Sequence, residues 1–333
     1  MNRLPTTVWH PMWVAVANLQ NLALPGRRYY PNQDGYSEAA YRRKVAWVGQ
    51  QFHRLSADVL LCPEVWDEQA LREAVAASKL RYPTVVVPGA EAGAQGTPRL
   101  GLVSRWQVER LQTLSDFDPA DQVPVPELGL QTRFERPVLM AELRGPQDQE
   151  LTLLGVHLKS KRPKFLLDAE GNPLEDRDDP SVQARATLRS LLMRAAEAAA
   201  LRRFVVTLAR GRQRPLVVAG DFNDGPLSVT SQLVAATQAV AYDREARDTA
   251  LFHAVDLQTE PGLRHDRPYS HVHQGWPELL DQVWVSEEFD PRSRFAVGEV
   301  RRVEVFNDHL LEGRDGSRSD HGFLRVLLQF RGA

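Results

Sequence analysis

The residues best suited to chemistry in this sequence stand where apolar runs stop. Asn18 and Asn21 follow "WVAVA", Glu64 follows "DVLLCP", His157 closes "LTLLGV", and Asp221 with Asn223 follows "LVVAG". Asp281 opens "DQVWVS", while Asp320 and His321 stand before "GFLRVLL". The set is rich in oxygen and holds no thiolate, which suits a hard divalent ion, Mg²⁺ or Mn²⁺, better than zinc. Magnesium keeps several waters and takes one or two carboxylates, so the remaining acids need other work. A histidine beside an aspartate, with another aspartate elsewhere, supplies a base and its orienter for deprotonating a water that attacks phosphorus. Asparagine and a second histidine supply donors to a phosphoryl oxygen whose charge grows in the transition state.

For these groups to meet, the runs that carry them must be strands sharing one rim, where α/β proteins place their sites. Apolar runs alternate with helical patterns from end to end, which predicts α/β architecture. Strands are expected at "WVAVAN", "ADVLLC", "TVVV", "RLGLVS", "VLMAEL", "LTLLGVH", "PLVVAGDF", "LDQVWVS" and "GFLRVLLQF". Helices are expected at "EAAYRRKVAWVGQQFHRL", at "DEQALREAVAASKL" with Asp67 as its cap, from Ser181 to Arg210, and from Ser228. The Pro- and acid-rich stretch between Asp116 and Gly129 and the charged "KRPKFLLDAEGNPLEDRDDP" read as surface loops. No repeat, linker or composition shift divides the chain, so one domain over residues 1–333 is the simpler organisation.

Composition narrows the function classes. Lys and Arg number 41 against 43 Asp and Glu, a formal net charge of -2, and nothing global advertises nucleic acid. One dense basic cluster follows His157: Lys159, Lys161, Arg162 and Lys164, with Ser160 among them. It reads either as a soluble loop or as a clamp on a phosphate backbone. Cys62, the single cysteine, rules out an intramolecular disulfide and reads as a small buried hydrophobe. The N-terminal stretch lacks a leader's apolar core, and no run approaches the ~18 apolar residues of a membrane span. A cytoplasmic protein without a membrane partner is expected. His271 and His273, two apart, share a face on a strand, as a pocket wall or in solvent. Asp308 and His309 compete with Asp320 and His321, but only the later pair leads into a strand-like run.

The pieces "NLQNL", "ADVLLCPEV", "GVHLKS", "GDFND", "LLDQVWVS" and "SDH", in this order, resemble the endonuclease/exonuclease/phosphatase superfamily, which includes DNase I-like nucleases. The resemblance runs from about residue 12 to about residue 330. It implies a four-layer α/β/β/α sandwich, two mixed sheets face to face with outer helices, and Mg²⁺-dependent hydrolysis of a phosphoester. Carried onto these positions, Asn18 and Glu64 stand by the metal, with Glu64 a direct ligand and Asp320 completing the shell. Asp221 positions or activates the attacking water, and Asn223 binds the scissile phosphate. His321, oriented by Asp281, is the base or the phosphate-stabilising imidazole, and His157 contacts the phosphate from the opposite side. Asn21, Lys159 and Ser160 are expected beside the substrate. Arg136, which matches a family Arg-Pro strand start, is expected to be structural or phosphate-facing. The sequence departs from the family pattern at Pro63, where Gln is usual, and at Gln282, where many relatives carry His or an aromatic. The nuclease-type branch, acting on DNA or RNA as a monomer, leads. The alternative is a phosphatase or phosphodiesterase for a small nucleotide, sugar phosphate or lipid headgroup.

Overall fold

Apolar runs long enough to be buried on both faces belong to sheets covered from both sides. The first such run gives β1 (Trp9–Val16), and α1 (Glu38–Leu55) leads to β2 (Val59–Val65), α2 (Glu68–Ala77), β3 (Thr84–Val86) and β4 (Arg99–Ser104). There follow β5 (Gln107–Asp116), β6 (Val123–Val125), β7 (Gly129–Gln131), β8 (Arg133–Arg144), β9 (Glu150–His157) and the long α3 (Pro180–Ala209). The remainder is β10 (Leu216–Asp221), α4 (Val229–Ala235), β11 (Phe252–His253), α5 (Ala254–Leu257), β12 (His271–His273), β13 (Trp276–Glu278), β14 (Asp281–Val285), β15 (Gly298–Phe306) and β16 (Phe323–Arg331). The computed structural model describes residues 8–28, 30, 34–89, 96–211, 214–236, 240, 245–260, 268–313 and 315–332; the first seven residues of the stretch read for a leader lie outside these. Among the described residues no helix is long and apolar enough to cross a membrane.

Two mixed six-stranded sheets form, in the orders β15-β16-β1-β2-β4-β3 and β11-β14-β10-β9-β8-β5. Their inner faces pack together through Val14, Leu61, Leu102 and Val326 on one side and Leu139, Leu153, Val217 and Val283 on the other. Outside the first sheet lie α1 and α2, with Phe52 and Leu71 in the interface, and outside the second lies α3, with Leu201 and Val205. The expected four layers are therefore present. Helix ends follow their caps. The Asp179 carboxylate accepts from the N–H groups of Ser181 at 2.6 Å and Val182 at 3.3 Å, and Pro180 starts α3 where its missing N–H costs nothing. Asp67 precedes α2 but makes no cap bond; its carboxylate accepts from the Leu24 N–H at 2.9 Å and pairs with Arg27.

Each sheet contains one parallel pair, β1 with β2 and β9 with β10. Antiparallel neighbours send their C-termini to opposite edges, so only a parallel pair delivers two strand ends to one rim. Strand β14 runs antiparallel to β10, and β16 antiparallel to β1, so both begin at that rim. The first sheet is built from both ends of the described chain, and the whole second sheet lies between its halves in sequence.

Three strands of the two large sheets escaped the sequence reading: β5, β15 and the two-residue β11. Strand β5 is an edge strand, half exposed, whose "QVERLQTLSD" carries polar residues on both faces. Strand β15 has a register shift between Val300 and Arg302 that breaks its alternation. The stretch expected to be a plain loop after Asp116 instead holds a short turn of 3-10 helix at Pro119–Asp121 and the hairpin β6–β7, with Val123 opposite Gln131.

Candidate active site

Register alone places three of the site residues in a row. His157, the last residue of β9, is the direct partner of Asp221, the last of β10, and Asp221 is the direct partner of Asp281, the first of β14. Direct partners point to the same face, so the imidazole and two carboxylates project together across three strands spaced ~4.8 Å apart. Gly220 makes the close approach feasible: its φ is 144°, and a Cβ there would lie 1.9 Å from the Val156 carbonyl oxygen.

The facing sheet supplies the other side. Strand β2 bulges after Cys62, the partner of Gly101, before pairing resumes with Val65 opposite Arg99. Pro63, lacking an N–H, sits in that bulge, where a ladder donor is dispensable, and its carbonyl accepts from Leu19 at 3.0 Å. Glu64 is left with φ 63°, half-buried, and its carboxylate is caught from β1's end: Asn18 Nδ2 donates to Oε1 at 3.3 Å, and the Asn21 N–H donates to Oε2 at 3.1 Å. Asn18 also donates to Asp221 Oδ2 at 3.1 Å, bridging the two sheets. Its amide oxygen accepts from the Gln20 N–H at 3.0 Å, so the side chain orients two carboxylates beside the expected metal position.

Glu64, His157 and Asp221 offer ligand atoms within 4.8 Å of one another, and so do Asp221, Asp281 and His321. Asp221 belongs to both groups and joins them. The His321 ring contacts Asp281 Oδ2 through Nδ1 at 2.7 Å, and Asp221 Oδ1 accepts from the Asn223 N–H at 2.8 Å. Asp281 Oδ1 and His157 Nδ1 are buried with no hydrogen-bond partner. A carboxylate oxygen and a ring nitrogen left bare at one rim are what a divalent ion and a phosphoryl group would fill.

The charges are shaped by burial. His157 is pushed well below the usual histidine range by burial and by the cationic Arg136, His321 and Lys159, which keeps its ring neutral. Burial also works against a charged His321, but the carboxylates of Asp281, Asp221 and Asp320 outweigh it and hold that ring well above the usual range, as an imidazolium. Asp221 is pushed up to about 7 by burial, against the pull of His321.

The remaining expected residues have other placements. Asp320 is exposed and lies outside both ligand groups of the described residues. Asn21 Oδ1 accepts from the Trp66 indole at 2.9 Å. Arg136 donates to the carbonyls of His157 at 2.9 Å and Leu158 at 2.6 Å, which makes it a brace for that segment. Asn223 Nδ2 donates to the same Leu158 carbonyl at 2.9 Å. Lys159 is buried, its ammonium 3.4 Å from Ser160 Oγ and 3.9 Å from Glu135. Lys161 pairs with Glu278 and Asp224, and Lys164 with Glu135. His271 stands in the wall with its ring 5.1 Å from that of His321, while His273 is exposed. His309 Nε2 lies 2.8 Å from the His321 carbonyl and Asp308 pairs with Arg54, so the earlier Asp-His pair supports the later one. Gln282, the second departure, donates to the Asp224 carbonyl at 2.6 Å and accepts from the Trp284 indole at 2.8 Å, holding the loop after β10. Lys44, Glu197, Ser270 and Ser319 were missed in sequence, although each hydrogen-bonds the rim: Ser270 Oγ accepts from the Asp281 N–H at 2.9 Å and Ser319 Oγ donates to the Asn18 carbonyl at 2.6 Å.

A family model described as "Endonuclease/Exonuclease/phosphatase family" matches residues 17–321, a span that contains every residue of this rim. The chain belongs to the endonuclease/exonuclease/phosphatase family. Members of this family are phosphoester hydrolases, generally metal-dependent. None of the curated proteins matches the sequence. Solved structures share the fold. An endonuclease/exonuclease/phosphatase family protein from Bacteroides thetaiotaomicron is 14% identical with a TM-score of 0.59, over 98% of this chain and 97% of that one. A mannosyl-6-phosphatase from the same organism is 14% identical with a TM-score of 0.57, over 95% and 99%. The human Nocturnin catalytic domain is 15% identical with a TM-score of 0.56, over 97% of each chain.

Proposed function

We propose that this member of the endonuclease/exonuclease/phosphatase family hydrolyses a phosphoester by in-line attack of water, with Mg²⁺, or Mn²⁺ in its place, held by Glu64 and Asp221. The observation that carries the reading is Asp221's membership of both groups, one with Glu64 and His157, the other with Asp281 and His321. When bound, the ion would polarise the phosphoryl oxygen and offset charge on the leaving oxygen. Asn18 keeps the two carboxylates facing each other across the sheets. Asp221, whose Oδ1 accepts from the Asn223 N–H and whose Oδ2 accepts from Asn18, would position the attacking water beside the ion. His321, fixed by Asp281 Oδ2 at 2.7 Å from its Nδ1, would act as the base or stabilise phosphoryl charge. Neutral His157 and the braced Asn223 would orient the phosphate.

The substrate we favour is a small phosphoester. The nuclease reading leaned on the basic cluster after His157, yet Lys159, Lys161 and Lys164 each lie within ion-pairing distance of a carboxylate. Cations so neutralised make a weak track for a polynucleotide backbone. The mannosyl-6-phosphatase that shares this fold supports the same direction. The test is hydrolysis of supercoiled plasmid, single-stranded DNA, RNA, bis-p-nitrophenyl phosphate and p-nitrophenyl phosphate with Mg²⁺, Mn²⁺ or EDTA. Metal-dependent cleavage of the small esters alone supports the proposal. EDTA-sensitive nicking of plasmid at low enzyme would return the nuclease to first place.

A further inference from the structure

Each sheet is backed by a helix that sends one buried ionisable side chain to the rim, Lys44 from α1 and Glu197, which burial pushes up to about 7, from α3. From α1, outside the first sheet, Lys44 is fully buried, and its Nζ donates to the carbonyls of Gln20 at 3.1 Å and Arg318 at 3.3 Å. Those carbonyls lie in the two loops that carry Asn18 and His321. Gln20 and Asn21 hold left-handed backbone, with φ of 45° and 59°, which non-glycine residues keep only where their surroundings impose it. Lys44 and the Tyr36 hydroxyl both donate to the Gln20 carbonyl; burial works against the lysine's charge, and the carboxylates of Glu64, Asp320 and Asp315 favour it. From α3, outside the second sheet, Glu197 is 1% exposed and accepts from the backbone N–H groups of Lys159 at 2.6 Å and Glu135 at 2.9 Å. Its contact with Lys159 and the contacts of Arg136 and Asn223 with His157 and Leu158 fix three consecutive residues from both sides.

Removing either side chain alone takes a hydrogen bond from each of its backbone partners, so a loss of stability by itself does not show a positioning role. What an apolar side chain would lack is a directional contact with two loops at once. We propose that Lys44 and Glu197 are positioning residues of the active site, Lys44 setting the loops around the divalent-ion ligands and Glu197 setting the segment that aims His157 at the phosphate. This rests on the site assignment above.

Mn²⁺ affinity of the full chain, measured by calorimetry, separates positioning from a merely structural role. Lys44→Met, which takes the ammonium donor from two carbonyls, is expected to melt below the wild type, to stay folded at the titration temperature, and to lose at least about tenfold in Mn²⁺ affinity, the range seen when groups that orient metal ligands are removed. Lys44→Arg, which keeps charge and donors, recovers part of the loss. Glu197→Gln retains one acceptor and opposes the other N–H with its own amide. It is expected to bind Mn²⁺ like the wild type but to bind inorganic phosphate, titrated with Mn²⁺ present, at least about tenfold more weakly. Wild-type Mn²⁺ affinity in Lys44→Met, or wild-type phosphate affinity in Glu197→Gln, overturns the proposal. Should Lys44→Met not fold, Lys44→Gln is scored on the same titration, with the same loss expected and wild-type affinity again decisive against it. Asp221→Asn, assayed alongside, identifies the other failure: hydrolysis that survives in that variant removes the site assignment itself, whatever Lys44 and Glu197 do.

Discussion

At the scale of single residues, the site divides its charges by environment. Two histidines less than a strand's width from the same carboxylate hold opposite states: His157 stays neutral among cations, and His321 is charged among carboxylates. Asp221→Asn removes the group shared by both clusters and is expected to lower kcat by about a hundredfold or more, and His321→Ala by a similar factor, in steady-state assays on the preferred ester. Turnover near wild type in either variant would place the chemistry elsewhere. Lys44 and Glu197 had a sequence signal that was overlooked. Lys44 lies four residues before Val48 and eight before Phe52 on the buried stripe of α1, and Glu197 lies midway between Met193 and Leu201 on that of α3. A charge on an apolar stripe has to find partners. The partners here are backbone groups of distant loops, which no spacing in the sequence reveals.

At the scale of elements, α1 and α3 were legible nearly to the residue because a capping side chain opens each and an apolar stripe runs through it. The strand ends that carry the site were legible too, since continuous apolar runs stop at them. Edge strands and bulges were not: β5 mixes polar residues onto both faces, and β15 changes register midway. The excursion over residues 161–179 was readable as a loop but not as an anchored one. Glu175 accepts from the Leu166 N–H at 2.8 Å and pairs with the fully buried Arg189 of α3, which also meets Glu127. Hydrogen bonds from Arg189 hold the Glu175 carboxyl down at about 2. Arg189→Ala strands that carboxylate and is expected to open the segment. Limited proteolysis should then cut between residues 161 and 179 before any other site, at a temperature where the wild type resists, and an unchanged digestion pattern would show that the loop does not depend on this anchor.

At the scale of the whole molecule, pH acts on the fold through groups far from the rim. His253 is buried against Trp284, with ring centroids 4.8 Å apart, and burial lowers it to about 4. Its folded value lies below its unfolded one, so the unfolded chain binds the extra proton between about pH 4 and 6.5. The contribution of this group is therefore complete above 6.5 and lost as pH falls toward 4. Replacing it by Gln should flatten the dependence of melting temperature on pH across that window, measured by calorimetry of the metal-free protein; a slope equal to the wild type's would assign the acid sensitivity to other groups. The two-sheet plan carries a further consequence, for the order of synthesis. Strand β1 is made before the second sheet, yet its partner β16, register Trp9 to Arg331, is made after the whole of it. Until then β1 holds an open edge, the kind of surface on which nascent chains aggregate. His321 stands just before β16, so the segment that seals the edge of β1 also completes the rim, and a chain stalled between β15 and β16 holds the second sheet without that imidazole.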